Sequence, residues 1–85
     1  MYRTGSALTF VQARKALEEG LRAIASGETV FDLAAVTEVD STAVATLLAW
    51  QRAARARGSA LSILNAPASI GTLTRLYGVD ELLPA

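Results

Sequence analysis

The sequence predicts an α/β sandwich: a small, mostly parallel sheet of three or four strands packed against three or four helices. Short runs rich in β-branched and aromatic residues alternate with longer stretches of helical character. Glycines punctuate those longer stretches at Gly27, Gly58 and Gly78. Each stretch between strands is also long enough for the crossover that parallel pairing needs. With 85 residues the chain is read as one domain, residues 1–85, with a modest core.

Met1 to Leu8 reads as a short strand broken at Gly5. Thr9-Phe10-Val11-Gln12 has capping-box spacing, which opens a helix at Thr9. Ala13, Ala16, Leu17, Leu21 and Ile24 form its apolar stripe, opposite Arg14, Lys15, Glu18, Glu19 and Arg22, and it ends near Ser26-Gly27. Thr29 to Leu33 reads as a buried central strand. A loop through Ala35, Val36, Thr37 and Glu38 leads to Asp40, Ser41 and Thr42. From there to Arg57 neither Gly nor Pro interrupts an Ala- and Leu-rich helix. Val44, Leu47, Leu48 and Ala54 serve as its core stripe. Ala60 to Leu64 gives the next strand. A turn at Asn65-Ala66-Pro67 then starts a helix from Ala68 to Tyr77, with Ile70, Leu73, Leu76 and Tyr77 on one face. Asp80 caps a final turn before Pro84.

Composition narrows the function. Eight basic and eight acidic side chains cancel, so no net field draws in nucleic acid or an anionic membrane. With no cysteine there are no disulfides and no thiolate chemistry, and with no histidine there is no Ser-His-Asp or Cys-His constellation. The expectation is a non-enzyme without cofactor or metal. The apolar run from Ala43 to Trp50 is far shorter than the roughly 20 residues of a membrane span. Arg3 has no apolar stretch behind it to make a signal peptide, so a cytoplasmic location is expected. A hydrophobic share of 52% is high for so short a chain and suggests that part of it serves a contact surface.

The segment Phe31 to Trp50, FDLAAVTEVDSTAVATLLAW, carries the candidate site. A buried strand and short loop deliver Asp40, Ser41 and Thr42 to a helix N-terminus, where oxygen side chains accept bonds from free amides. One such residue suffices for a cap; three in a row also suit a surface role. Asp32, Glu38 and Asp40 lack the tight spacing of a hard-metal site and read as solvated or capping groups. Arg52, Arg55 and Arg57 complement the helix dipole at its end. Trp50 falls to one flank of the assigned stripe and is read either as a partly exposed interface anchor or as core.

The run VDSTAVATLLAWQRAARARG and the tail LTRLYGVDELLP, Leu73 to Pro84, resemble the MlaB-type STAS domains. The resemblance covers most of the chain from Gly5 onward and implies a STAS-like fold. STAS domains carry a D-S/T-S/T/A-G/A-L-like signature as their partner-docking surface; here it reads Asp40-Ser41-Thr42-Ala43-Val44. The resemblance places Ser41 at the hydroxyl position used against an ATPase subunit and Thr42 at the position antagonists phosphorylate; Asp40, Ala45 and Trp50 join them as expected partner-binding residues. The implied partner is the ATPase subunit of a phospholipid-transport ABC complex of Mla type, with membrane association only through that complex. The alternative is an anti-sigma-factor antagonist phosphorylated on Thr42 or Ser41. That signature usually has Gly after the second hydroxyl residue, where this chain has Ala43, and Leu where it has Val44. A phosphate on Thr42 would gain from the helix amides yet meet Asp40 and Glu38, and its charge would break docking. STAS domains also have a strand ahead of the one ending at Gly5. Either that strand is truncated from this sequence or the start is placed late, and an exposed sheet edge would invite pairing with another chain, including a second copy in a homodimer.

Overall fold

Parallel pairing organises the strands into two small sheets. The computed structural model describes residues 1–76 and Gly78. β1 (Tyr2–Arg3), β3 (Val30–Asp32) and β5 (Ser62–Leu64) form a parallel sheet in the order β1-β3-β5. β2 (Ala7–Leu8) and β4 (Glu38–Val39) form a second parallel pair. The helices are α1 (Ala13–Ala25), α2 (Thr42–Ala56) and α3 (Ala68–Leu76). This is the expected α/β architecture, with the Phe31 strand at the centre of its sheet.

The first segment is two strands, not one. The chain leaves the larger sheet at Gly5-Ser6 and enters the smaller one, where Ser6 carbonyl oxygen accepts from the amides of Thr37 (2.8 Å) and Glu38 (3.2 Å). Glu38 and Val39, expected in a loop, are therefore recruited as a strand by a partner distant in sequence. Local propensity cannot report such a pairing.

The helices lie over the sheet face presented by the register-matched Tyr2, Phe31 and Ile63. Phe31 links the layers: its ring centroid lies 4.7 Å from that of Tyr2 and 5.0 Å from that of Trp50, the latter nearly edge-on at 71°. Leu8, Ile24, Leu33, Leu47, Leu61 and Ile70 complete the core around them. On the opposite sheet face, Asp32 joins the strand ends. Its Oδ1 accepts from Asn65 Nδ2 (3.0 Å) and from the Ala34 amide (2.9 Å). Those two bonds, the Asn65 one foremost, hold its carboxyl below the usual range.

Helix boundaries follow the glycines. Gly27 (φ 99°) and Gly58 (φ 75°) take the left-handed conformation that closes α1 and α2. The amides of Glu28 and Ser59 then donate back to the carbonyls of Ala23 and Ala54. The start of α1 differs from expectation: no side-chain cap forms, residues 9–12 make a turn, and the helix begins at Ala13. The stripe of α1 holds at Ala13, Ala16, Leu17 and Ile24 and fails at Leu21. Gly20 and Ile24 are its buried residues, while Leu21 is exposed. In α3, Ile70 is buried and Leu73 half-buried as expected, but Leu76 stands out and Thr74 is buried in its stead; the Thr74 hydroxyl is satisfied by donating to Gly71 carbonyl oxygen (3.0 Å). Tyr77 and the Asp80 turn lie outside the described residues.

Trp50, read either as core or as a partner-binding anchor, is core. It is wholly buried and is not a surface anchor. The inward face of α2 is Ala43, Thr46, Leu47, Trp50, Gln51 and Ala54; it keeps Leu47 and Ala54 of the expected stripe and takes other residues in place of Val44 and Leu48. Those two are only half-buried. Trp50 Nε1 donates to Leu17 carbonyl oxygen (3.3 Å), so the indole is seated against α1 on its polar as well as its apolar side.

Candidate partner-docking site

The β2–β4 pair brings two loops together. Its register sets Leu8 opposite Val39, and the amide of Asp40 donates to Leu8 carbonyl oxygen at 3.3 Å. Parallel strands run out at the same end, so the turn before α1 and the first turn of α2 emerge side by side.

Asp40 binds both. Its Oδ1 accepts from the amide and the hydroxyl of Thr42, the amide at 2.9 Å, and its Oδ2 accepts from the amide of Phe10 at 2.9 Å. The cap of α2 is thus supplied by Asp40 acting on Thr42, and Ser41 makes no capping bond. These donors, led by the Thr42 hydroxyl, keep the Asp40 carboxyl ionised to lower pH than an ordinary aspartate. The amides of Ala43 (3.0 Å) and Val44 (3.2 Å) donate to the carbonyls of Asp40 and Ser41, fixing the first turn. Thr46 extends this support by donating its hydroxyl to Thr42 carbonyl oxygen at 3.1 Å.

The candidate residues now separate. Ser41 and Ala45, one helical turn apart, are both exposed on the same face. Thr42 and Asp40 are half-buried and engaged with each other. Ala43, the departure from the glycine of the antagonist signature, is completely buried, so its methyl group has been accommodated in the core. Trp50 is not part of the surface. Asp32 and Asp40 hold separate sets of partners, and Glu38 is exposed on β4.

Two further residues belong to this neighbourhood and escaped the sequence reading. Phe10 is 78% and Val11 84% exposed, in the turn whose amide Asp40 holds. The capping-box spacing drew them into the first turn of α1. What sets them outside it is the Phe10–Asp40 bond, which spans thirty residues of sequence.

A hydrogen-bonded, hydroxyl-bearing turn on an α/β scaffold, with its acidic residue engaged in structure, suits an interaction or regulatory module, the class that the family match supports. The family model for the MlaB-type STAS domain matches residues 5–84, and the chain belongs to that family. Domains of this family are generally non-catalytic. No curated protein matches the chain. No helix among the described residues is long and apolar enough to cross a membrane.

Proposed function

We propose that the protein is a non-catalytic subunit that binds and supports the ATPase subunit of an Mla-type phospholipid-transport ABC complex, from the cytoplasmic side of the inner membrane. One observation carries the reading: in an MlaB-type STAS domain, Ser41 and Ala45 stand exposed on a helix turn that Asp40 and Thr42 hold rigid. Preorganisation of this kind lowers the ordering cost of association. The domain acts by binding the assembled, active conformation of the ATPase more tightly than other states, which shifts the population toward it.

The test is capture of the purified ATPase subunit by the wild-type protein and by Ser41→Trp and Ser41→Asp variants, with ATP hydrolysis followed in parallel. Both variants should lose capture and the accompanying stimulation while melting like the wild type. Undiminished capture by both would remove the basis of the proposal.

The rival, a phosphorylation-controlled anti-sigma-factor antagonist, draws support from Ser41 alone. Its hydroxyl is exposed, whereas that of Thr42 is half-buried and donated to Asp40. This reading predicts one added phosphate on Ser41 by intact-mass spectrometry after incubation with the cognate kinase and ATP, and its loss in Ser41→Ala.

A further inference from the structure

We propose that Phe10 and Val11 form the apolar half of the docking site, and that Asp40 is the positioning residue that keeps them beside Ser41 and Ala45. The proposal rests on the docking function given above and adds residues to it.

Phe10 and Val11 are the most exposed large apolar side chains among the described residues, at 78% and 84%. They are adjacent, and a small protein seldom leaves such a pair in water without a use for it. Their turn is ordered: the Gln12 amide donates to Thr9 carbonyl oxygen (3.0 Å) and the Phe10 amide to Asp40 Oδ2 (2.9 Å). The other oxygen of the same carboxylate holds Thr42. One side chain therefore ties the apolar turn to the hydroxyl turn, a continuity of bonds from Phe10 through Asp40 to Thr42.

That continuity identifies the occupant as the protein that covers Ser41. The chemistry agrees. Residues 9–12 and 41–46 contain no charged side chain, and the Asp40 carboxylate between them is engaged by three hydrogen bonds. An apolar pair beside an engaged carboxylate fits a protein surface bearing an apolar recess. Anionic lipid and nucleic acid call for clustered cations, whereas Lys15, beside Val11, is set against Glu19 and Glu38. Aromatic anchors inserted in such recesses dominate interface energetics.

Affinity for a purified Mla-type ATPase subunit decides the matter. The Phe10→Ser/Val11→Ser double variant should bind at least about thirtyfold more weakly than wild type, at an unchanged melting temperature. Asp40→Asn keeps an acceptor for Thr42 but presents an NH2 group to the Phe10 amide. It should weaken binding roughly tenfold, speed amide exchange at Phe10, and cost nothing further when added to the double variant. If Ser41→Trp abolishes binding while the double variant binds like wild type, the inference is wrong and the docking function stands. If the wild type does not bind, both fall. If the double variant instead converts a wild-type dimer to monomer in sedimentation, with ATPase affinity intact, a second copy covers the patch and the inference is overturned.

Discussion

Gly20→Ala sets two known effects of one methyl group against each other. In the interior of a helix, alanine is favoured over glycine by about 1 kcal/mol. At Gly20, however, the new Cβ lies 2.8 Å from Cζ2 of Trp50 and nearer still to Cε2 and Nε1. Carbon atoms settle at about 3.5–4.0 Å, so the indole or the helix would have to retreat by well over ~1 Å to clear the nearest of these atoms. Neither can do so easily. Trp50 is wholly buried, meets Phe31 edge-on at 5.0 Å, and donates to Leu17 carbonyl oxygen on α1 itself. Overpacking of this kind costs about 1–3 kcal/mol, occasionally more, and displacing the indole adds about 1 kcal/mol for its hydrogen bond. The net expectation is a loss of about 2 kcal/mol, or roughly 10 °C in melting temperature for a domain of this size. Gly71→Ala is the internal control: it also lies within a helix, but nothing stands within 4 Å of its Cβ. There the propensity term acts alone, and the protein should gain up to about 1 kcal/mol. Thermal melts followed by circular dichroism at 222 nm read both. A Gly20→Ala protein that melts at or above the wild type would refute the close α1–α2 approach on which the reasoning stands.

Two further predictions concern polar groups. Gln51 is buried and clasps Leu61, donating from Nε2 to its carbonyl oxygen (2.9 Å) and accepting from its amide at Oε1 (3.3 Å). Gln51→Leu should therefore destabilise by about 1–3 kcal/mol despite its greater hydrophobicity, because two buried backbone groups lose this partner; urea unfolding giving an equal or higher midpoint would disprove it. Asp32 and Asp40 both have folded-state pKa values held below the ordinary one of about 3.9. The unfolded chain therefore binds more protons in acid, so their contribution is complete above pH ~4–5 and is lost as pH falls through the folded values. Asp40→Asn should accordingly be less stable than wild type at pH 6, with a gap that narrows toward pH 2.5. A gap independent of pH would show that its carboxylate does not contribute through its charge.

Much of the fold was legible because glycine and β-branched residues act locally. The stops at Gly27 and Gly58 and the central strand at Phe31 needed no distant partner to be recognised. What escaped was set by tertiary contact. β4 exists because Ser6 and Leu8 pair with it, and Thr9 does not cap because its turn is drawn toward Asp40. In α1 a glycine occupies a core position, so a stripe counted from large apolar residues was phased on Leu21 in place of Gly20. In α2 apolar residues surround the axis, so their pattern alone does not give the phase. Ala43, Leu47, Trp50 and Ala54, spaced 4-3-4, are the ones that turn inward. At the candidate site, the signature named Asp40, Ser41 and Thr42, but not which of them reaches solvent or that Phe10 and Val11 stand beside them.

The phase of α2 connects the stability of the domain to its candidate docking surface. Successive helical residues turn by about 100°, so fixing Trp50 and Leu47 inward also fixes Ala43 inward, and Ser41 and Ala45 away from the core. Trp50 is in turn fixed by the space that Gly20 leaves for it. The glycine in α1 thus bears on the direction in which Ser41 faces, although it lies within another helix and makes no bond to the site. A side chain at position 20 that forced α2 to roll would move Ser41 and Ala45 together and break the Thr42–Asp40 bonds, while leaving the β2–β4 pair and the Phe10–Asp40 bond where they are. Docking would then be lost by misalignment of two intact halves. That outcome differs observably from unfolding, because the Phe10 amide would stay protected by Asp40 while affinity fell.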